Sequence, residues 1–271
     1  MRRTLAREVC FEGTGIHSGQ PGRVSISPSE PGTGLVFLKD GVRIPATVEN
    51  VVSSDRRTDL GVDGVAVMTA EHILAVMVGL GVDDALVRIE GQEIPAMDGS
   101  ALDFARAVSG AGLVETGGEE GVFKLREGFE FRDGASLYVL APAENLRLSC
   151  EIRYDHPFIP RQRIELSVDP ASFTRELAPA RTYAFYEEVR EVLERGLGHG
   201  GNPNNVLVIK QDGYMNPARF PDEPVRHKAL DFIGDMALLG LRPCFAAECV
   251  APGHRANQAL VKHMKTRGVQ T

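Results

Sequence analysis

His227, Asp231 and Asp235 follow one another at four-residue spacing in the segment PVRHKALDFIGDMALLG, residues 224–240. The segment is predicted to be a helix, and this spacing places all three side chains on one helix face. The other sides of the helix are apolar, so an imidazole and two carboxylates would be costly to bury without a partner. A His and an Asp one turn apart can bind the same divalent metal ion. The spacing suits an ordinary solvated His–Asp pair equally well.

A second pair of candidate residues, Glu71 and His72, opens the apolar segment HILAVMVGLG. This segment is predicted to be a helix with Thr69 as its N-cap and glycines at its end. Adjacent residues of a helix point about 100° apart, so Glu71 and His72 could play two different roles in one site. Alternatively, Glu71 only stabilises the helix N-terminus through the helix dipole. His17, in the turn GTGIHSGQPG, is a weaker candidate because a His between turn glycines is usually a loop residue.

The same order of elements follows both candidate helices. Each is succeeded by a glycine stop, a strand, a turn and another helix, with the strands at 85–90 and 244–250 and the helices at 101–108 and 256–264. This repeat predicts an α+β fold of two similar β-rich domains from an internal duplication, each a sheet with two helices. The predicted domains are residues 1–118 and 119–271. If their helices pack at the interdomain seam, His72, His227 and Asp231 would form a three-ligand site there.

The remaining pattern is rich in strands. Alternating segments predict strands at residues 3–11, 23–27, 34–38, 47–52, 65–68, 122–131, 136–140, 147–154, 163–168 and 206–209, and a short capped helix from Ser172. Residues 180–196 are predicted to be an amphipathic helix, with Val189, Val192 and Leu193 on one side and charges on the other. Such a helix and the strand after it could pack on the core or enclose an acyl chain, and periodicity does not distinguish these outcomes.

Composition limits the classes of protein to which the chain can belong. Its 271 residues are 43% hydrophobic and 25% charged, as in a globular protein with a sizeable core. A net charge of −7 without a basic stripe argues against nucleic acid as a partner. The four cysteines show no CxxC pairing and are predicted to be reduced core residues. Because no signal peptide or integral membrane segment is apparent, we expect a cytoplasmic protein. A duplicated chain supplies both halves of the site, so we expect a monomer.

A series of short motifs, taken in order, resembles the UDP-3-O-acyl-N-acetylglucosamine deacetylases, zinc amidases of lipid A biosynthesis. The motifs are RTL (3–5), GTGIHSG (13–19), TAEH (69–72), GLGVDDALV (79–87), EIPAMDGSA (93–101), YDHP (154–157), ARTYAF (180–185), PDEPVRHKALDFIGDMALLG (221–240) and GHRANQALV (253–261). Together they are highly specific and cover almost the whole chain. The resemblance implies hydrolysis of the N-acetyl group of UDP-3-O-acyl-N-acetylglucosamine with release of acetate. It also implies an active site between the helices of two β-rich α+β domains.

The resemblance further implies roles for residues at the metal. His72, His227 and Asp231 match the zinc ligands of the family and leave a fourth position for water, and the same ligand set would accept iron(II). Glu71 matches the general base that activates this water. The implied cofactor is therefore Zn²⁺, with Fe²⁺ as the other possibility.

Other matches concern the reacting amide and the substrate. His254 matches the residue that stabilises the oxyanion and protonates the leaving amine, and Asp235 would hold that imidazole. Thr182 matches a hydroxyl donor to the tetrahedral intermediate, and Lys228 matches a substrate-binding cation. The remaining substrate-binding candidates are two aromatic residues that would flank the uridine, Tyr154 and Phe185, and four residues of an acyl passage, Val189, Gly198, Pro203 and Val208.

The chain departs from the family pattern at several positions. Ser136 and Ala251 stand where the family often has lysines associated with the nucleotide phosphates, and Asp55, Arg56 and Arg57 replace an apolar tripeptide. Because arginine binds phosphate bidentately, we hypothesise that Arg56 and Arg57 supply the missing positive charge. Two alternatives to the deacetylase stay open: a related metal-dependent amidase acting on a different N-acetylated amphiphile, and a catalytically silent ligand-binding homologue.

Overall fold

The computed structural model describes residues 1–119, 121–267 and 269–270, and it confirms the predicted α+β class. Elements of the first half are β1 Arg3–Leu5, β2 Val9–Thr14, β3 Pro21–Pro28, β4 Leu35–Lys39, β5 Val42–Pro45, a 3₁₀ turn at Val48–Asn50, β6 Val51–Ser53, β7 Asp59–Val62, β8 Val65–Val67, α1 Glu71–Leu80, β9 Ala85–Glu90, α2 Leu102–Ala111 and β10 Leu113–Glu115. Elements of the second half are β11 Val122–Lys124, β12 Phe129–Asp133, β13 Ser136–Pro142, β14 Arg147–Arg153, β15 Arg161–Ser167, α3 Pro170–Ser172, a π-helical turn at Phe173–Leu177, β16 Tyr183–Phe185, α4 Tyr186–Glu194, β17 Leu207–Lys210, β18 Gly213–Tyr214, α5 Glu223–Met236, a 3₁₀ turn at Ala237–Leu239, β19 Arg242–Val250, α6 His254–Arg267 and β20 Val269–Gln270.

The two halves share one sheet topology. In the first half the strand order is β2-β3-β9-β4-β5, with every neighbouring pair antiparallel except β4 and β9, which are parallel. In the second half the order β12-β13-β19-β14-β15 repeats this pattern, with β14 and β19 as the parallel pair. The duplication predicted from the order of elements is therefore present in the topology. The domain boundary between residues 118 and 119 stays a prediction, and Glu120, Gly268 and Thr271 lie outside the described residues.

The central strands β9 and β19 alternate buried and more exposed residues, so each sheet turns one apolar face toward the helices. Helix α1 is buried at nearly every position, and α5 is buried along most of its length. The two helices are in close contact at Gly234, where a Cβ atom would lie 2.2 Å from the carbonyl oxygen of Glu71. Their packing brings the predicted ligands of the two halves to one place.

The predicted helix over residues 180–196 is wrong in its first part. Residues Tyr183–Phe185 form the strand β16, which pairs in parallel with β17, and the helix α4 begins only at Tyr186. The backbone N–H of Thr182 donates to the carbonyl of Gly99 at 2.8 Å, and the carbonyl of Thr182 accepts from Leu207 at 2.9 Å. These backbone groups are therefore not available to a helix, and the aromatic residues of β16 suit a strand.

The predicted N-cap Thr69 is also wrong. Thr69 has a left-handed backbone with φ +64°, and its hydroxyl donates to Glu93 at 2.8 Å instead of capping α1. The cap position belongs to Ala70, whose N–H donates to the carbonyl of Thr58 at 2.9 Å. A β-branched residue rarely adopts this backbone conformation, so contacts around Thr69 must stabilise it.

Several predicted strands are divided because successive parts of the chain pair with different partners. Residues 3–11 form β1, which pairs with β10, and β2, which pairs with β3. Residues 122–131 likewise divide between β11 and β12, and residues 47–52 contain a 3₁₀ turn before β6. The short helix predicted from Ser172 begins earlier, at Pro170, with Asp169 as its N-cap.

The cysteine prediction holds for Cys150 and Cys249, which are buried, but it is wrong for Cys10, which is exposed, and Cys244 is only partly buried. Cys10 lies on β2 next to the buried Phe11, so the alternation of the strand directs it outward. None of the helices in the described ranges is long and apolar enough to cross a bilayer.

Candidate active site

Three predicted ligands converge where α1 meets α5. The ligand atoms of His72, His227 and Asp231 all lie within 4.8 Å of one another, and all three residues are buried. Asp231 Oδ1 lies 3.3 Å from Nε2 of His227 and 3.9 Å from Nε2 of His72. Nδ1 of His227 lies 3.1 Å from the carbonyl oxygen of Ala180, so Nδ1 donates its proton there and the lone pair of Nε2 faces Asp231.

The chemistry of these donors fits a divalent cation. Among the described residues, Asp231 Oδ1 is buried without a hydrogen-bond partner, which is costly unless another group compensates for it. Burial lowers the pKa of His72 to about 3 and lowers the pKa of His227, so both imidazoles are neutral and can ligate a metal. A cation between them would satisfy the carboxylate oxygen and both lone pairs.

Glu71 lies beside these donors at the start of α1 and is only 3% exposed. Burial is the main cause that raises its pKa to about 7; His254 opposes this rise, and Asp231 contributes to it. One carboxylate oxygen accepts a hydrogen bond from the backbone N–H of Thr58 at 2.9 Å. A carboxyl group with a pKa near neutrality is suited to accept and release a proton during a reaction.

His254 and Asp235 form a buried pair on the other side of the site. His254 Nδ1 donates to Asp235 Oδ2 at 2.9 Å, and Asp235 also accepts from the Thr58 hydroxyl at 2.6 Å and the Asn257 amide at 2.8 Å. Burial lowers the pKa of His254, but Asp235 and Asp231 outweigh this and raise it to about 9. The imidazole is therefore protonated near neutral pH and can act as an acid.

Lys228 lies next to the ligands. Its ammonium group donates to Asp231 Oδ2 at 2.9 Å and lies 5.9 Å above the centre of the Tyr183 ring. Burial would lower the pKa of Lys228, but Asp231 raises it above its ordinary value, so the side chain keeps its charge. Burial would likewise raise the pKa of Asp231, but His227 and Lys228 hold it below its usual range.

A cavity of about 490 Å³ contains most of the predicted site residues. The predicted residues that line it are Arg56, Glu71, His72, Tyr154, Thr182, Phe185, Val189, Gly198, Pro203, Val208, His227, Lys228, Asp231 and His254. Of the predicted residues in the described ranges, Asp235 and Arg57 do not line it. The lining combines the polar group of ligands and acids with apolar side chains, which also include Val192, Val206 and Met215.

Aromatic rings form one wall of this cavity. The rings of Tyr154 and Phe185 meet edge to face with centroids 4.9 Å apart, and the hydroxyls of Tyr154 and Tyr183 are hydrogen-bonded. Thr182, one residue before β16, lines the same region, and within the described chain its hydroxyl makes no hydrogen bond. A flat ring and a small polar group could both be recognised at this wall.

The structure separates the two arginines that were expected to act together. Arg57 is paired with Asp59, 2.8 Å from one carboxylate oxygen, and does not reach the cavity. Arg56 lines the cavity but is paired with Glu188 of α4 at 3.1 Å. The expected role of both arginines in binding phosphate stays a prediction.

Ser136 and Ala251, the positions that depart from the family lysines, are in direct contact. The Ser136 hydroxyl donates to the carbonyl oxygen of Ala251 at 2.7 Å. The backbone N–H of Ala251 donates to the carbonyl oxygen of Glu151 at 2.8 Å, and Ala251 has a left-handed backbone with φ +50°. Hydrogen bonds thus hold the end of β19 shortly before His254.

A buried carboxylate holds the Gly-rich turn that carries His17 at the edge of the cavity. Glu93 accepts hydrogen bonds from the backbone N–H groups of His17 and Ser18, and from the hydroxyl of Thr69. This places the turn against the start of α1, and His17 lines the cavity. Sequence reasoning identified His17 but missed Glu93, because nothing in its local pattern shows that two distant loops converge on it.

Thr58 and Asn257 were also missed as site residues. Both contact Asp235, yet they lie 177 and 22 residues away from it in the sequence. Asn257 shares one face of α6 with His254, since the two are three residues apart, and this spacing is the only local signal that could have indicated it.

Comparisons with known proteins cover nearly the entire chain. The family model described as UDP-3-O-acyl N-acetylglycosamine deacetylase matches residues 2–266. A protein of Myxococcus xanthus named UDP-3-O-acyl-N-acetylglucosamine deacetylase is 38% identical over 267 residues, which are 96% of this chain and 85% of that protein. Proteins of the same name from Phenylobacterium zucineum and Chlamydia muridarum are 39% and 38% identical, over 98% and 96% of this chain and 94% and 93% of their own lengths.

Proposed function

The chain belongs to the family of UDP-3-O-acyl N-acetylglycosamine deacetylases, and from this premise we propose how its cavity performs the reaction. The substrate is UDP-3-O-acyl-N-acetylglucosamine, an intermediate of lipid A biosynthesis, and the reaction hydrolyses its N-acetyl group to acetate and a free amine. The observation that carries the proposal is the convergence of His72, His227 and Asp231 beside one cavity whose lining is both polar and apolar.

His72, His227 and Asp231 would hold a divalent cation, zinc in our proposal, although the same donors also suit iron(II). A cation bound there supplies Lewis-acid activation of a water molecule and of the substrate carbonyl. The protein contributes neutral imidazoles, an ionised carboxylate and a fixed orientation of His227 through its hydrogen bond to Ala180.

Glu71 is the general base in this proposal. It accepts a proton from the attacking water as the water oxygen bonds to the carbonyl carbon. A pKa near 7 leaves a substantial fraction of Glu71 ionised before the reaction and still lets it hold the proton afterwards. The N–H of Thr58 orients one carboxylate oxygen of Glu71, which leaves the other oxygen for the water.

The carbonyl oxygen becomes negatively charged as the water adds. Thr182 and Lys228 both line the cavity and can donate hydrogen bonds to this oxygen. His254, protonated because its pKa is raised to about 9, can then give its Nε2 proton to the amide nitrogen as the C–N bond breaks. Asp235 fixes the imidazole through Nδ1 and stabilises its positive charge. The products are acetate and the 2-amino sugar.

The remainder of the substrate is matched to the rest of the cavity. We assign the uridine to the aromatic wall of Tyr154 and Phe185, because bases stack on such rings. The acyl chain would occupy the apolar part of the cavity, whose proposed lining is Val189, Gly198, Pro203 and Val208. The cytoplasmic location and the monomeric state stay predictions.

The test is acetate release by the purified chain. We expect acetate and free amine in equal amounts from UDP-3-O-acyl-N-acetylglucosamine, loss of the activity with a chelator, and recovery with added zinc. UDP-N-acetylglucosamine without the acyl chain, and an N-acetylated amphiphile without the nucleotide, should both react far more slowly. Preference for the nucleotide-free amphiphile, or binding of the nucleotide substrate without acetate release, would contradict the proposal.

A further inference from the structure

Thr58 contacts both proton-transfer groups of the site through its main chain and its side chain. It immediately precedes β7 and is completely buried, with 0% of its surface exposed. Its N–H donates to the Glu71 carboxylate at 2.9 Å, and its carbonyl accepts from the N–H of Ala70 at 2.9 Å. The main chain of Thr58 thus holds both the start of α1 and the carboxylate that α1 presents.

The Thr58 hydroxyl has a fixed direction. The side-chain amide of Gln258 donates to the hydroxyl oxygen at 2.9 Å, and an amide NH₂ can only donate. The hydroxyl proton is therefore directed to Asp235 Oδ1, 2.6 Å away. His254 Nδ1 lies 3.3 Å from the same hydroxyl oxygen, so one hydroxyl is in contact with both members of the acid pair.

We propose that Thr58 is a positioning residue that sets the location of the Asp235–His254 pair relative to Glu71. The inference rests on the proposed function, because it concerns the distance between the proposed base, Glu71, and the proposed acid, His254. Within the described chain, Thr58 supplies the only hydrogen bond to Asp235 Oδ1, while His254 and Asn257 both bind Oδ2. Without the hydroxyl, Oδ1 loses its anchor and the carboxylate can rotate together with the imidazole that it holds.

Thr58→Val tests the inference, since it removes the hydroxyl but keeps the shape and the backbone N–H. Loss of a hydrogen bond to a charged group lowers a rate by roughly 10- to 100-fold when the bond acts in the transition state. We expect kcat of the variant to fall by about this factor. Metal content should stay at the wild-type value and KM within about threefold, because the metal ligands and the substrate wall are untouched. Thr58→Ser, which retains the hydroxyl, should recover most of kcat.

A matched control is Thr4→Val, which removes another buried threonine hydroxyl, one that donates to the carbonyl of Asp84 at 2.7 Å. Thr4 is not among the cavity-lining residues. Its kcat should equal that of the wild type. Thr58→Val should also lower kcat only slightly when Asp235 is already replaced by Asn, because the effects of residues that act as a unit are not additive.

Three results would overturn the inference. The first is a Thr58→Val variant with wild-type kcat, and the second is an equal loss of kcat in the wild-type and Asp235→Asn backgrounds. In both cases the deacetylase activity of the wild type still supports the proposed function. The third is absence of acetate release from wild-type and Thr4→Val proteins alike, which overturns the proposed function and this inference with it.

Discussion

At the scale of single residues, neighbouring groups give similar buried side chains different protonation states. His72 and His254 lie within one site, yet burial lowers the pKa of His72 to about 3 while Asp235 and Asp231 outweigh burial and raise that of His254 to about 9. Burial also raises the pKa of Glu71 to about 7. The site therefore offers a neutral ligand, a proton donor and a proton acceptor near neutral pH, and this division of roles comes from the neighbours of each group.

Glu71→Gln tests the role of the carboxylate. The amide keeps the size of the side chain but cannot accept the proton of the attacking water. We expect acetate release to fall by about 10²- to 10⁴-fold, which is the usual contribution of a general base. Metal content should not change, because Glu71 is not among the residues that converge as ligands. Initial rates and metal analysis on the same preparation would measure both quantities.

Asp103→Asn is the control for the alternative that Glu71 only supports a helix terminus. Asp103 lies in the first turn of α2, as Glu71 lies in the first turn of α1. It is not among the cavity-lining residues. If Glu71→Gln and Asp103→Asn both kept full activity, Glu71 would act through the helix dipole alone.

The sequence predicted some residues of the site and missed others. Helical spacing alone was enough to place His227, Asp231 and Asp235 on one face of α5, and all three are buried there. Thr58 was not predicted to participate because its partners lie on α1, α5 and α6, and no local pattern encodes a contact among three elements.

At the scale of elements, the position of α5 against α1 depends on Gly234. A Cβ atom there would lie 2.2 Å from the carbonyl oxygen of Glu71 and 3.2 Å from its Cα. Since backbone atoms cannot yield as a flexible side chain can, any larger residue must push the helices apart. His72 belongs to α1 and the other two ligands belong to α5, so separation of the helices also separates the ligands.

Gly234→Ala should therefore reduce both stability and metal affinity. We expect the free energy of unfolding to fall by about 1–3 kcal/mol, the typical cost of overpacking. Gly110→Ala in α2 is the matched control, because a Cβ there meets nothing within 4 Å and Ala is preferred to Gly in a helix by about 0.5–1 kcal/mol. Denaturant unfolding and metal titration of both variants would measure the effects. Equal metal affinity in both variants would contradict this account of Gly234.

Helix α4 is held in a different way. None of its nine residues is buried, and the chain around it is tied to the loop of the first half by two ion pairs, Arg56 with Glu188 and Arg195 with Asp55. The predicted helix extended back to residue 180 because the pattern of apolar residues does not reveal that β16 pairs with β17. Because few buried contacts hold α4, we expect it to be the more mobile side of the cavity.

Glu188→Lys should loosen α4, because it places two positive charges side by side. We expect faster hydrogen exchange in α4 and a KM for a long-chain acyl substrate raised by up to about fivefold, the scale of an exposed ion pair. The difference from the wild type should shrink at high salt. Glu194→Lys is the control, because in the described part of the chain Glu194 forms an ion pair only with Arg190, which also belongs to α4. Identical exchange and KM in the two variants would show that the ion pairs do not hold the helix.

At the scale of the whole molecule, the duplication explains why the site lies where the halves meet. Both halves use the same strand order, and each places a buried helix before its central strand, α1 before β9 and α5 before β19. The order of elements in the sequence was sufficient to predict this repeat. The sequence could not predict where α1 and α5 cross, because that depends on the close approach at Gly234.

A metal shared between the halves should stabilise the whole fold. A ligand at 100 times its dissociation constant stabilises the folded state by about 2.7 kcal/mol, which for a chain of this size corresponds to about 5–10 °C in Tm. We expect chelation to lower Tm by this amount and added zinc to restore it, measured by calorimetry. His72→Ala should abolish the response, because among the described residues His72 is the only one of the three converging ligands that the first half contributes. If added zinc did not change the Tm of the wild type, or if it still raised the Tm of His72→Ala, the cation would not bridge the two halves.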